Sequence, residues 1–197
     1  ADADQRELYT SIGCALENLL IAAEHFGFGY HVDYFPDPAN LKFVAAVEFL
    51  HKNRPSPFRG PELFDAIGLR HTNHKTYQAR SIPETALQQL KACVVESGVS
   101  LQLTDELEIK RQVDELVNRA DATLFADPAF RDELSCWIGE GAFGTHWLLG
   151  KLAQLALAHL DLGKVAAKKD EELLLSSPVF GLLCAAEDDR ISQVKVG

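Results

Sequence analysis

The chain has no methionine, two tryptophans and four cysteines in 197 residues. No C-x-x-C occurs; Cys14, Cys93, Cys136 and Cys184 lie far apart, each among apolar neighbours. That spacing supplies neither a zinc site nor a disulfide framework, and it predicts reduced, buried thiols in a cytoplasmic protein. No apolar run reaches the roughly 18 residues that a membrane-spanning helix needs, and no signal peptide or lipidation motif is visible, so no membrane contact is expected. Positive charge is scarce as well: 19 Lys and Arg stand against 29 Asp and Glu, a formal net charge of -10. An acidic surface of this kind argues against general binding to nucleic acid. G-x-G-x-x-G, P-loop and H-E-x-x-H motifs are absent, and strands and helices do not alternate regularly as in a Rossmann fold. With no starting methionine and an abrupt V-K-V-G ending, the expectation is a fragment of a longer polypeptide.

What is present suits one or two compact domains, since 47% of the residues are hydrophobic and 24% charged. Ile12, Ala15, Leu16, Leu19, Leu20, Ala23 and Phe26 recur at helical spacing and predict a helix over 11–26, stopped by Gly27 and Gly29. Alternating aromatic and apolar residues over 28–35 and 41–49, separated by P-D-P-A-N, predict a β-hairpin across 28–50. Further helices are predicted at 60–67, 83–97, 104–122, 127–138 and 146–160, with strands at 99–103 and 178–185, the last read as buried. The fold class is α+β.

One local composition departs from the acidic background. Arg70–Arg80 reads R-H-T-N-H-K-T-Y-Q-A-R, just ahead of the helix that opens near Pro83. Arg70, Lys75 and Arg80 carry positive charge, Thr72 and Asn73 supply short polar groups, and His71 and His74 donate or accept. An arginine fork fits a phosphate, and hydroxyl and amide groups complete its shell. A solvated connecting loop has the same composition, so both readings stand at this point. His71 with His74, and His25 with His31, lack the third donor of a metal site, and no metal is expected. Phe143 and Trp147, in and after the glycine-rich stretch 139–144, fit either a flat apolar surface for an aromatic substrate or the buried aromatics of an ordinary loop, and both readings stand. Glu187, Asp188 and Asp189 read as a turn after a strand.

In its order of motifs the chain resembles the nitroreductase-like flavoproteins, and more narrowly their two-lobed Acg-type members. Three segments carry the resemblance: 12–29 (I-G-C-A-L-E-N-L-L-I-A-A-E-H-F-G-F-G), like the family's central helix; 70–77 followed by Ile82-Pro83, like its arginine-rich arm; and 127–138 with 141–144 and 177–184, in the order of a second lobe. The resemblance implies helices packed around a mainly antiparallel sheet and parts of two pseudo-repeated lobes. Residues 1–68 would be the remainder of the first lobe, and 69–197 a second lobe cut before its central helix, with Gly197 about where the counterpart of Gly13 falls. It also implies FMN bound through Arg70, Thr72, Asn73, His74 and Lys75, and Phe143 and Trp147 in a substrate loop. NAD(P)H would be the reductant, a small molecule the electron acceptor, and the assembly a pseudo-dimeric chain or a homodimer. The catalytic residues are unassigned. His74 stands where the family arm usually has a second arginine, which motivates an alternative: a catalytically degenerate relative that binds or sequesters flavin or a partner. An unrelated α+β interaction domain with a basic arm is the third reading.

Overall fold

The computed structural model describes residues 2, 4–51, 56–140 and 171–197. In chain order its elements are α1 (Arg6–His25), β1 (Gly29–Tyr34), β2 (Ala45–Leu50), α2 (Glu62–Leu69), α3 (Glu84–Ala92), β3 (Val99–Thr104), α4 (Leu107–Ala126), α5 (Pro128–Gly139), β4 (Phe180–Ala185) and α6 (Arg190–Val196). A helical turn at 171–176 precedes β4. The chain divides into two compact units. One comprises 2–73, 82–103 and 181–197; the other comprises 74–81 and 104–180, together with residue 1.

In the first unit α1 begins five residues ahead of the predicted helix. The Asp2 carboxylate reaches forward to accept hydrogen bonds from the backbone N–H of Glu7 (3.2 Å) and Leu8 (2.9 Å), which satisfies donors that a helix start otherwise leaves open. At the other end Gly27 adopts φ +81°. Phe28 N–H then bonds the Ala23 carbonyl at 2.8 Å and Gly27 N–H bonds that of Glu24 at 3.0 Å, a Schellman closure that needs a left-handed residue at Gly27. The hairpin forms as predicted in type: β1 and β2 are antiparallel, with Gly29 opposite Leu50 and Tyr34 opposite Ala45. Its second strand starts later than expected, because Asp37 and Asn40 each fold their side chains onto the backbone N–H two residues on, at Ala39 and Lys42. These Asx turns compete with strand pairing over 39–43.

The core of this unit is Tyr9, Val44 and Val194, with Ile12, Leu16, Tyr34 and Phe35 packed around it. Phe35 holds φ 49°, an uncommon conformation for an aromatic residue, with its ring edge-on to Tyr9 at 5.6 Å. Helices α1 and α6 meet at two glycines. A Cβ on Gly13 would collide with the Val194 carbonyl oxygen, and a Cβ on Gly197 would collide with that of Thr10. Each glycine thus faces the residue three places before the other, a reciprocal contact of the kind two-fold symmetry produces. Arg6 closes the same helix pair with a two-pronged hydrogen bond to Asp188 (2.9 and 3.1 Å).

β3 and β4 form a second two-stranded sheet. Ala186 N–H bonds the Gly98 carbonyl, and Gly181 lies against Leu101 and Leu103, so the strands run antiparallel. The strand expected to be buried is not: Leu182 is 64% and Leu183 43% exposed. The sheet has only two strands, and this face of β4 is left open among the described residues. The cysteines also depart from expectation. All four are free, but Cys14, Cys93 and Cys136 are exposed and Cys184 is half-buried: Cys93 lies just past the end of α3, and Cys14 and Cys136 lie beside, not on, the buried positions Gly13 and Ser135 of their helices. α3 stops at Ala92, short of the predicted Ser97, where the β-branched pair Val94-Val95 follows.

In the second unit α4 starts at Leu107, three residues later than predicted. Thr104 completes β3 instead, and its hydroxyl accepts from Glu106 N–H at 3.2 Å. Asp127 caps α5 through the Ala129 N–H (2.9 Å), with Pro128 at the first helical position. Arg131 donates to the Phe125 carbonyl at the end of α4 (2.8 Å), and the Phe125 and Phe130 rings meet edge to face at 5.6 Å. The predicted helix at 146–160, most of the glycine-rich stretch, Phe143 and Trp147 lie outside the described residues.

Candidate functional site

The basic arm leaves α2 at Arg70, whose backbone turns extended (φ -64°, ψ 131°) while its N–H still bonds the Ala66 carbonyl. From there to Arg80 the backbone is irregular. Arg70, His71, Thr72, His74, Lys75 and Arg80 are exposed and Asn73 is half-buried. Arg70 makes no ion pair among the described residues, so its fork is available to an anion. The His71 ring nitrogen lies 3.4 Å from the Leu69 carbonyl. The arm belongs to both units: Arg70, Thr72 and Asn73 to the first, His74 and Lys75 to the second. Within the second unit its course is fixed at Tyr77, whose N–H donates to the Ser176 hydroxyl at 3.0 Å.

A second polar cluster escapes the sequence reading. Arg59, in the loop before α2, forks onto Glu17 of α1 through Nε (2.8 Å) and Nη2 (2.6 Å). Its Nη1 donates to Glu24 at 3.0 Å and to the Tyr30 hydroxyl. Tyr30 donates in turn to Glu24 (2.8 Å), and the other oxygen of Glu24 accepts from Ser56 N–H (2.9 Å). The Glu24 side chain is only 7% exposed and that of Arg59 17%. Such a pair holds its geometry because breaking it strands a buried charge. The hydrogen bond to Glu17 holds the Arg59 guanidinium even more firmly protonated than usual. Burial, reinforced by the hydrogen bond to Glu24, pushes the Tyr30 phenol up to about 12. A signal for this cluster existed in the sequence: Glu17 and Glu24 are two turns apart on the face of α1 that also carries Leu20, and carboxylates on a buried face demand a cation.

Beside the cluster lies a cavity of about 370 Å³ against Leu16 and Leu20 of α1. Its charged rim is already paired, Glu17 with Arg59 and Glu96 with Lys195 (3.1 Å). Tyr34, also on its wall, has its phenol raised by burial and by the nearby Glu96. None of the arm residues lines this cavity. Among the described residues no group of three His, Cys, Asp or Glu side chains converges as a metal site, and no helix is long and apolar enough to cross a membrane.

The chain is thus an α+β protein with small antiparallel sheets, an exposed cationic arm and a distant similarity to nitroreductases. That similarity is to two proteins of Mycobacterium tuberculosis provisionally named NAD(P)H nitroreductases: MT3217 of strain CDC 1551 / Oshkosh and Rv3131 of strain H37Rv. Each is 27% identical over 140 residues, covering 70% of this chain but only 39% of the relative. No protein-family model matches the chain, and no solved structure matches it.

Proposed function

We propose that this chain is part of a flavin-dependent NAD(P)H oxidoreductase of nitroreductase type. The observation that carries the proposal is the similarity to proteins named NAD(P)H nitroreductases over 140 residues. FMN is the cofactor in this reading, and the chemistry of the arm's donor set fits its phosphate: an unspent guanidinium at Arg70, the Thr72 hydroxyl, the Asn73 amide, His74 and the Lys75 ammonium, all on irregular backbone. These residues would hold the phosphate or the ribityl chain, and Phe143 and Trp147 would face the flat ring or the acceptor. The bound flavin supplies hydride transfer from NAD(P)H to a small acceptor; the protein supplies binding and orientation.

The two-lobed arrangement belongs to the same proposal, and the reciprocal crossing of α1 and α6 supports it. Asp4-Gln5-Arg6 precedes Gly13 at the spacing with which Asp188-Asp189-Arg190 precedes Gly197. Two helices of one chain that repeat a spacing and meet as if across a two-fold axis fit a duplicated lobe, with 1–68 and 69–197 as its parts. The test is made on the complete polypeptide. Purified protein is expected to be yellow, or to take up added FMN, and to oxidise NADH or NADPH in the presence of a nitroaromatic or quinone acceptor. A folded, colourless polypeptide that cannot bind FMN overturns the proposal. FMN binding without NAD(P)H turnover selects the degenerate, flavin-sequestering alternative, which His74 favours because a histidine is a weaker and pH-dependent phosphate partner than an arginine.

A further inference from the structure

Lys110, on α4, is buried in the second unit (6% exposed), and the hydrogen-bond partners of its ammonium are backbone carbonyls. Its ammonium donates to the carbonyls of Ser177 (2.8 Å) and Pro178 (3.0 Å) and lies 5.8 Å from the centre of the Phe180 ring. A buried ammonium without these acceptors would be an unsolvated charge, so the two carbonyls cannot move away at low cost. The residue just before them, Ser176, donates its hydroxyl proton to the Leu173 carbonyl (2.9 Å) and accepts from Tyr77 N–H (3.0 Å). Tyr77 lies in the middle of the half-arm 74–81, which carries His74, Lys75 and Arg80 and belongs to this same unit. An unbroken series of contacts therefore runs from Lys110 through 176–178 to the basic half-arm.

From this series we infer that Lys110 is a positioning residue for the arm: it fixes the 176–178 segment, which in turn fixes Tyr77 and the cationic side chains on either side of it. Lys110 does not touch the ligand. The inference rests on the proposed flavin role for its effect on binding, and on the geometry alone for its effect on the arm.

The experiment compares the wild-type complete polypeptide with Lys110→Met, which keeps the length of the side chain and removes its charge. Two readouts are taken: amide hydrogen exchange over 74–81, and the dissociation constants of FMN and of riboflavin, which lacks the phosphate. In Lys110→Met the Tyr77 amide is expected to exchange about tenfold faster, the equivalent of one lost hydrogen bond. FMN affinity is expected to fall by about tenfold and riboflavin affinity by clearly less, since the cationic side chains of the half-arm act on the phosphate that riboflavin lacks. General destabilisation would weaken both flavins alike. Lys110→Arg, which retains a buried donor, should recover part of the FMN preference. A folded Lys110→Met protein with wild-type protection at Tyr77 and a wild-type ratio of FMN to riboflavin affinity overturns the inference. If that variant does not fold, Ser176→Ala removes the Tyr77 anchor alone and is expected to raise exchange at Tyr77; unchanged protection there overturns the inference. Should the wild type bind neither flavin, the flavin proposal fails while the exchange experiment still decides the role of Lys110.

Discussion

Arg59 and Arg70 stand eleven residues apart and have opposite surroundings. Arg59 is enclosed: both sides of its guanidinium are engaged by Glu17, Glu24 and Tyr30, and it ties the loop before α2 to α1 and β1. Arg70 is exposed, has no ion pair among the described residues, and sits on irregular backbone among other polar side chains. The difference separates two uses of the same side chain. A guanidinium whose donors are spent inside the fold contributes stability and offers a ligand nothing, whereas one left in solvent contributes little stability and keeps its fork for an anion. Stability in the first unit should therefore reside around α1, and any capacity to bind phosphate should reside in the arm.

The largest expected effect lies at the helix crossing. Gly13→Ala places a methyl group against the Val194 carbonyl, where backbone and not a flexible side chain must give way. A loss of about 3 kcal/mol is expected from such overpacking, read as a shift in the urea midpoint. Gly197→Ala meets the Thr10 carbonyl in the same way. If the crossing is two-fold in character the two variants should lose similar amounts, and a large inequality would count against it. Next comes Arg59→Ala, which leaves Glu24 buried without its cation. Breaking such a pair costs about 3 kcal/mol when both partners are enclosed, and roughly 2 kcal/mol here because Glu17 is 46% exposed. A variant as stable as wild type would show that the cluster is incidental to the fold.

Helix α1 and the hairpin were legible because apolar spacing reports burial directly: Leu16, Leu20 and Ala23 on α1, and the alternation through Tyr30, Val32 and Tyr34 on β1, are visible in the sequence alone, whereas the short helix α6 was not expected. Boundaries were less legible, since they depend on side chains that cap from outside the periodic run, such as Asp2 for α1, or that turn the chain, such as Asn40 before β2. The burial expected of β4 failed because an apolar run gives an appetite for cover without saying whether another element supplies it. Composition alone drew attention to the arm. The Arg59 cluster was hidden for the opposite reason: Arg59 is 35 residues from Glu24 in the chain, and only the fold brings them together.

The arm supplies the next prediction. Arg70→Ala should leave the urea midpoint unchanged to within ~0.5 kcal/mol, as for an exposed side chain with no hydrogen bond or ion pair among the described residues. The same change is expected to weaken FMN binding by the complete polypeptide about tenfold, through loss of a charge-assisted contact to phosphate. A substantial loss of stability, with flavin affinity intact, would reverse the contrast between the two arginines.

The smallest effect concerns Tyr30 and appears only at high pH. Its phenol is raised from 10.0 to about 12, first by burial and then by the hydrogen bond to Glu24, so the folded state favours the protonated form. The stability this contributes is fully present below the unfolded value of 10.0 and is lost as pH rises through about 12. Tyr30→Phe removes the titrating group together with one hydrogen bond to Glu24. The variant should be slightly less stable than wild type at neutral pH, by about 1 kcal/mol for a partly solvated bond, and the gap should narrow as pH rises above 10. Urea midpoints for both proteins at neutral pH and at several values above 10 measure this directly. A gap that stays constant across that range would mean that Glu24 is held by Arg59 and the Ser56 N–H without Tyr30, and that the Tyr30 hydroxyl takes no part in the enclosed cluster.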